Sequence, residues 1–263
     1  MIKRSYNLTR VMGIPIRMHL TLAILLIFVA ITFKLTGVIL AVGVFASIAL
    51  HELGHSWVAI RKGCRVREIM LLPIGGVAKM ESIPMRPMDE FLMAAAGPAT
   101  SFILAIISGL LASFGFLSLF FVYLMRINLM LCLFNLLPSF PMDGGRIFRA
   151  FMTPRMGRLR ATALAAKIGR FMAIAFGIVG LFGIPGVVAP NIMLILIAIF
   201  IYNAAGAEYR AIYAQHMQQE WFTVEPQADI HVSPPPYAQK GSVWKEWKKK
   251  TNDFFNDLFK NWE

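Results

Sequence analysis

Charged residues are scarce in this chain of 263 residues. Only 15% of them are Asp, Glu, Lys or Arg, whereas 57% are hydrophobic and the mean hydropathy is +0.63. A soluble globular domain carries about 25% charged residues, so the composition excludes an ordinary soluble fold. Several apolar runs approach the roughly 20 residues that cross a bilayer as a helix. The chain is therefore predicted to be a multi-pass membrane protein.

Cysteine is almost absent as well. Cys64 falls in a basic segment and Cys132 falls inside an apolar run, and no Cys-x-x-Cys motif occurs. Neither position suggests a disulfide.

Acidic residues are the rarest charged type, with 14 against 26 basic ones, which leaves a formal net charge of +12. In a soluble protein this balance would favour nucleic acid as a partner. Here the basic residues cluster between apolar runs, as the positive-inside rule describes for cytoplasmic loops. Binding of nucleic acid is therefore not predicted, and the lipid bilayer is the expected surroundings.

Hydropathy predicts about six transmembrane helices. They lie near residues 18–35, 37–60, 91–115, 117–137, 168–184 and 190–206. The first follows a basic head without a cleavage signal and is expected to be retained. The connections alternate between basic and nearly uncharged, so both termini are predicted to lie in the cytoplasm. Arg126 fits poorly inside the fourth span, and either faces a polar interior or precedes a helix that starts later.

The polar stretch after the second span contains RVREIMLLPIGGVAKME, residues 65–81. Two short extended pieces flank Pro73, Ile74, Gly75 and Gly76, which is turn chemistry. The alternative is a simple loop. The predicted fold class is an all-α polytopic membrane protein with a small membrane-associated β-hairpin or sheet after the second helix.

Composition divides the chain into three parts. Residues 1–206 are predicted to form a six-span domain with its core at about 18–152. Residues 207–240 include VSPPPYAQKGS and are predicted to be a cytoplasmic linker. Residues 241–263 place aromatic residues near one helical face and lysines on the other, which predicts an amphipathic helix for the membrane surface. Packing on the protein or self-association is the alternative.

The motif HELGH, residues 51–55, stands near the end of the second span. Residues i and i+4 share one helix face, so His51 and His55 can present imidazoles to one metal ion. Glu52 projects beside that pair. This is the arrangement of zinc hydrolases, in which the glutamate is the general base on a zinc-activated water. The site is expected in the cytoplasmic third of the bilayer.

A chance match or a structural histidine pair is the alternative interpretation. Ionisable side chains inside a span are costly, however, at about 2.5–3.5 kcal/mol or more for charged types at the bilayer centre. Packing alone does not retain such a cluster, so metal chemistry is favoured.

A catalytic zinc needs three protein ligands and one open position. Between residues 91 and 207 the one acidic side chain is Asp143, in NLLPSFPMDGGR, residues 135–146. Prolines break the fourth span there, and broken backbone at membrane depth must be buried or line a cavity. Asp-Gly-Gly alone is only a turn, but its company with HELGH favours a ligand. Asn135 could bind substrate backbone or an oxyanion, or cap broken helix ends.

The sequence resembles the site-2 proteases, a family of intramembrane zinc metalloproteases. The resemblance rests on HELGH and NLLPSFPMDGG, supported by LLPIGG (71–76) and AAAGP (94–98). It implies one Zn²⁺ per chain held by His51, His55 and Asp143, with Glu52 as the base. It also implies substrate contacts at Asn135, Pro141 and Gly144. Gly75 and Gly76 would then lie in a hairpin whose edge pairs with an unwound substrate strand.

The same resemblance implies the reaction. The expected activity is endopeptidase cleavage in or near a transmembrane segment of a membrane-tethered regulator, such as a sigma factor, an anti-sigma factor or a transcription factor precursor. Without PDZ or CBS segments, the chain resembles the compact branch that includes sporulation sigma-factor processing proteases. A metal transporter or sensor that uses the same His and Asp residues is the main alternative, and it would not need Glu52. A structural scaffold acting through the amphipathic tail is a third.

Overall fold

A computed structural model describes residues 5–81, 86–115, 117–185, 189–223, 245–246 and 248–253. Residues 1–216 form one compact unit and residues 217–263 a second. In the second unit, residues 245–246 and 248–253 are helical. The other residues of the predicted amphipathic helix, 241–263, lie outside the described residues, as does the proline-rich stretch of the predicted linker.

The described chain is mostly helical. Its elements are β1 (Ser5–Val11), β2 (Ile14–His19), α1 (Leu20–Arg61), β3 (Val66–Leu72), β4 (Gly75–Met80), α2 (Pro87–Ser113), α3 (Ser118–Asn135), α4 (Asp143–Met156), α5 (Arg158–Phe182) and α6 (Ile192–Thr223). Five of the described helices, α1, α2, α3, α5 and α6, are long and apolar enough to cross a membrane. The prediction of a multi-pass membrane protein is confirmed. Because α6 continues to Thr223, the first part of the predicted linker is helical.

The 42 residues of α1 form a helical hairpin rather than one rod. A straight helix of that length would separate its ends by about 63 Å. Yet β2 and β3, which flank it, pair in parallel with Ile16 opposite Ile69. The helix breaks at Lys34, where φ is 55°. A Cβ on Gly37 would stand 2.3 Å from the Cβ of Phe33, so the chain reverses tightly there. The two segments of α1 are the first two predicted spans.

The four strands form one sheet in the order β1-β2-β3-β4. The predicted hairpin is β3 and β4, which are antiparallel and joined at Pro73 and Ile74. The N-terminal strands β1 and β2 were not predicted, because their residues were interpreted only as a basic head. The alternation of apolar and other residues at Ile14 and Ile16 was the available signal for a strand. Both side chains are buried in the core beneath the sheet.

Ion pairs stabilise the sheet on its polar face. Lys79 of β4 donates to the Glu68 carboxylate of β3 at 2.8 Å, and Arg17 of β2 pairs with Glu68 at 2.8 Å. The hydrogen bond from Lys79 and the surrounding positive charges lower the pKa of Glu68 below its usual value. Three strands are thus joined through one carboxylate.

Arg126 lies in the middle of α3 and is exposed. The alternative of a helix that starts after Arg126 is wrong, because α3 begins at Ser118.

A buried ion cluster joins α2, α4, α5 and α6. Arg149 of α4 is completely buried and donates from Nε to Glu90 of α2 at 2.7 Å and from Nη1 to Glu208 of α6 at 2.9 Å. Its guanidinium lies 4.9 Å from the ring centre of Phe140. Arg158, the first residue of α5, also reaches Glu90, at 3.4 Å. The cluster holds α4 against the helices around it.

Removing Arg149 should therefore destabilise the fold strongly. Arg149→Ala leaves the buried carboxylate of Glu90 without its main partner, which costs about 3–5 kcal/mol of unfolding free energy. Thermal unfolding of the detergent-purified protein measures the effect. Arg155→Ala is the matched control, because Arg155 is an exposed residue of the same helix. Equal unfolding temperatures for the two variants would contradict a structural role for the cluster.

Candidate metal centre

Three predicted ligands meet at one point. His51 and His55 lie one turn apart on the second segment of α1, and Asp143 is the first residue of α4. The Nε2 atoms of His51 and His55 lie 3.2 Å and 3.1 Å from Oδ2 of Asp143, and 3.2 Å from each other. Both histidines are buried. The structure thus brings together residues that are 88 and 92 positions apart along the chain.

This triangle has the dimensions of a zinc site. Ligand bonds of 2.0–2.1 Å in tetrahedral geometry place the ligand atoms about 3.3–3.4 Å apart, close to the three distances observed. Two imidazole nitrogens and a carboxylate oxygen that face one another in a buried space also call for a cation between them. Neutral imidazole and carboxylate donors suit Zn²⁺. Three protein ligands leave a fourth tetrahedral position for a reacting group.

Residues of α2 orient both imidazoles. Nδ1 of His55 lies 2.7 Å from the carbonyl oxygen of Met93, and Nδ1 of His51 lies 2.9 Å from Oγ of Ser101. Hydrogen bonds at Nδ1 direct Nε2 toward the metal and fix the tautomer. The sequence interpretation missed both partners. The available signal was MAAAGPATS, residues 93–101, whose small residues were assigned only to close helix packing.

That close packing is concentrated at Gly97. A Cβ built on Gly97 would lie 2.1 Å from Nε2 of His55 and 2.7 Å from Nε2 of His51. Gly54 of α1 is equally tight, because a Cβ there would lie 2.3 Å from Oγ1 of Thr100 and 2.9 Å from the Ala96 carbonyl oxygen. Glycine on both helices therefore allows α2 to lie directly against the two histidines.

The loop before Asp143 is folded back on the start of α4. Gly144 is buried, and a Cβ on it would lie 2.2 Å from the Leu137 carbonyl oxygen. Pro141 is exposed and follows a cis peptide bond. Asn135 ends α3 and donates from Nδ2 to the carbonyl oxygen of Leu131 at 3.0 Å. Lacking a Cβ, Gly144 lets the loop approach the helix that presents Asp143.

Glu52 lies outside the ligand triangle and faces the sheet. A Cβ on Gly76 would lie 2.7 Å from Cγ of Glu52 and 3.0 Å from Cγ2 of Ile48. Gly76 belongs to β4, which pairs with β3 alone among the described strands and so has an open edge. The structure therefore brings Gly76 into contact with the glutamate of HELGH, a proximity that local sequence did not reveal.

Gly97→Ala should abolish metal binding. Its Cβ would occupy the space of both Nε2 atoms, so the metal content of protein purified without chelator should fall from near one ion per chain to below a tenth. Elemental analysis measures it. Gly109→Ala is the control on the same helix, because its Cβ would meet the flexible Met125 side chain at 3.1 Å. Full metal content in Gly97→Ala would show that α2 does not constrain the histidines.

Comparison with known proteins agrees with this geometry. The model of peptidase family M50 matches residues 39–117 and 109–176, which together cover more than half of the chain. A zinc metalloprotease of Methanocaldococcus jannaschii is 40% identical over 79% of this chain and 61% of its own length. The stage IV sporulation protein FB of Bacillus subtilis is 28% identical over 65% of this chain and 59% of its own length. The chain thus spans about three fifths of these two relatives.

A solved structure shares the fold. The site-2 protease from Methanocaldococcus jannaschii matches with a TM-score of 0.59 and 38% identity, over 78% of this chain and 95% of that one. The matched family segments include HELGH and Asp143. The fold, the His-His-Asp cluster and these matches together show that the chain belongs to peptidase family M50, the site-2 zinc metalloproteases.

Proposed function

We propose that this protein is an intramembrane zinc endopeptidase that cleaves a peptide bond in or near a transmembrane segment of a membrane-tethered regulatory protein. The observation that carries the proposal is the three-ligand cluster on a membrane-spanning helix, with Glu52 beside it and a sheet edge against Glu52. A metal transporter or sensor would need the ligands but would not need either of the last two features.

Zinc held by the cluster would supply Lewis acidity, which would lower the pKa of a water so that it gives up a proton near neutral pH and becomes nucleophilic. Glu52 accepts the proton of the attacking water and delivers it to the nitrogen of the leaving amine. His51, His55 and Asp143 would hold the ion. Ser101 and the Met93 carbonyl hold the imidazoles in place during the reaction.

The substrate must be unwound before it is cut. A transmembrane helix satisfies its own backbone hydrogen bonds, so its carbonyls are hidden until local structure is lost. The open edge of β4 can compensate for this loss. An unwound substrate segment that pairs there as an added strand regains backbone hydrogen bonds. Gly75 and Gly76 leave room for that segment beside Glu52. Asn135, Pro141 and Gly144 are proposed to border its other side.

The basic loop after α1 and the distance of the histidines from it indicate on which side of the membrane the active site lies. His51 and His55 lie about 15 Å and 9 Å along α1 from Arg61, at 1.5 Å per residue. Arg61 begins a basic stretch, and basic loops remain on the cytoplasmic side. We therefore place the active site in the cytoplasmic part of the bilayer, with both termini in the cytoplasm. Water would reach the site from that side.

Glu52→Gln tests the assignment of the base. The amide cannot accept the proton, so cleavage of a membrane-tethered reporter in proteoliposomes should fall by about 10²–10⁴-fold. Zinc content should remain near one per chain, because Glu52 is not a ligand. Asp143→Ala is the comparison variant and should lose both zinc and cleavage. Undiminished cleavage by Glu52→Gln would refute the mechanism.

Gly76→Ala tests the sheet edge. The added Cβ would displace either β4 or the Glu52 side chain, so kcat should fall at least tenfold while zinc content stays unchanged. The readout is reporter cleavage together with elemental analysis of the same sample. Gly109→Ala again serves as the matched control. If Gly76→Ala cleaves as fast as the control, the contact between β4 and Glu52 has no part in catalysis.

A further inference from the structure

Two arginines converge on one point between α5 and α6. The space where a Cβ on Gly206 would stand is 2.9 Å from Nη2 of Arg170 and 3.4 Å from Nη1 of Arg210. Arg170 belongs to α5, and Gly206 and Arg210 belong to α6. Two oxygens of a single phosphate group could accept hydrogen bonds from both guanidinium groups at this separation.

No described acidic side chain neutralises this pair. Glu208, the nearest acid along α6, accepts from Arg149 in the buried ion cluster. Nε of Arg170 is buried and meets no acceptor among the described residues. Arginine stays charged in proteins, so two guanidinium groups that approach each other from two spanning helices favour binding of a counter-anion. An unsatisfied buried N–H points to the same requirement.

The Arg170 side chain is held in place before any ligand binds. Its Cζ lies 5.5 Å from the ring centre of Tyr202, a half-exposed residue one turn before Gly206. A cation held over an aromatic face is restricted in direction. Gly206 leaves the space between the two guanidinium groups open.

An apolar groove leads away from the arginine pair. It has a volume of about 240 Å³ and lies between α5 and α6. Its lining includes Ala173, Ile174, Gly177, Ala198 and Tyr202. Ala173 and Ile174 follow Arg170 by about one helical turn, and Tyr202 precedes Gly206 by one turn. The groove and the charged pair are therefore continuous.

This combination matches one class of ligand. We propose that Arg170 and Arg210 bind the phosphate of an anionic phospholipid in the cytoplasmic leaflet, with an acyl chain in the α5–α6 groove. Basic pockets between spanning helices on the cytoplasmic side are suited to anionic headgroups, and the apolar groove is suited to a hydrocarbon tail. Tyr213, which follows Arg210 by about one turn, is half-exposed and fits the interfacial layer where phosphates lie.

The lipid site is coupled to the loop before Asp143. A Cβ on Gly169 would lie 2.9 Å from the carbonyl oxygen of Phe140 and 3.3 Å from Cβ of Ala205. Gly169 precedes Arg170, and Ala205 precedes Gly206. A lipid that holds α5 against α6 therefore also supports the loop that presents Asp143. Lipid binding itself does not depend on peptidase activity, so it is measured separately.

The test is a titration of the full, detergent-purified, zinc-loaded chain with dioctanoyl phosphatidylglycerol, followed by native mass spectrometry. Arg170→Gln/Arg210→Gln should weaken binding at least tenfold. Arg160→Gln/Lys167→Gln removes the same charge from exposed positions of α5 and should change it less than threefold. Arg210→Gln alone, an exposed position, provides a milder variant should the double variant fail to fold, and it should weaken binding at least threefold.

A variant in the groove distinguishes the contribution of the lipid's acyl chain to binding from that of its headgroup. A Cβ on Gly177 meets only the Ala198 side chain, at 3.7 Å, so Gly177→Leu fills the groove without a backbone clash. It should weaken binding of phosphatidylglycerol at least fivefold and leave binding of glycerol phosphate unchanged. Zinc content and unfolding temperature report whether each variant is folded.

Four outcomes would overturn the proposal. If the two double variants lose phosphatidylglycerol binding equally, the attraction is diffuse electrostatics. If neither Arg170→Gln/Arg210→Gln nor Arg210→Gln loses binding, the arginine pair is not the lipid site. Inorganic phosphate binding as tightly as phosphatidylglycerol would identify a soluble anion instead. Slower reporter cleavage by Gly177→Leu with undiminished lipid binding would assign the groove to a peptide helix.

Discussion

The close approach of α2 to the second segment of α1 is the contact on which the metal centre depends. Gly97 permits it, and on either side of Gly97 the Met93 carbonyl and the Ser101 hydroxyl lie near the Nδ1 atoms of the two histidines. A buried ligand imidazole needs a partner for its second nitrogen, because a buried polar group without a hydrogen bond is costly. One helix face therefore provides both the space for the ligands and the hydrogen bonds that orient them.

The reversal at Lys34 has a similar effect on the sheet. Since α1 folds back on itself, β2 and β3 meet and form the centre of a sheet whose last strand, β4, lies against Glu52. A single continuous span would have separated those strands by the thickness of a membrane. Hairpin and sheet together bring an open strand edge to Glu52, the proposed base, which is the arrangement that the proposed pairing with an unwound substrate requires.

Asp143 reaches the histidines through a second set of contacts. Arg149 anchors α4 to α2 through the buried carboxylate of Glu90 and to α6 through the partly buried carboxylate of Glu208. Gly169 and Ala205 support the loop that leads into α4. Breaking a buried ion pair leaves an uncompensated charge, so such a cluster holds its helices in one arrangement. The proposed lipid lies at the outer side of the same α5–α6 contact, which connects the membrane surface to the third ligand.

Sequence alone determined the parts of this protein that depend on local spacing. Apolar runs of spanning length identified the membrane helices, and turn residues at Pro73–Gly76 identified the hairpin. The histidines at i and i+4 identified two of the three candidate metal ligands. Asp143 was found because acidic residues are so rare in the spans. Tertiary structure alone decided the rest: the orienting roles of Met93 and Ser101, the space at Gly97, the burial of Arg149, the pairing of the N-terminal strands and the convergence of Arg170 with Arg210. The physical reason is that spacing along one helix or turn is set by backbone geometry, whereas these contacts join residues from separate elements, whose meeting depends on how the whole bundle packs.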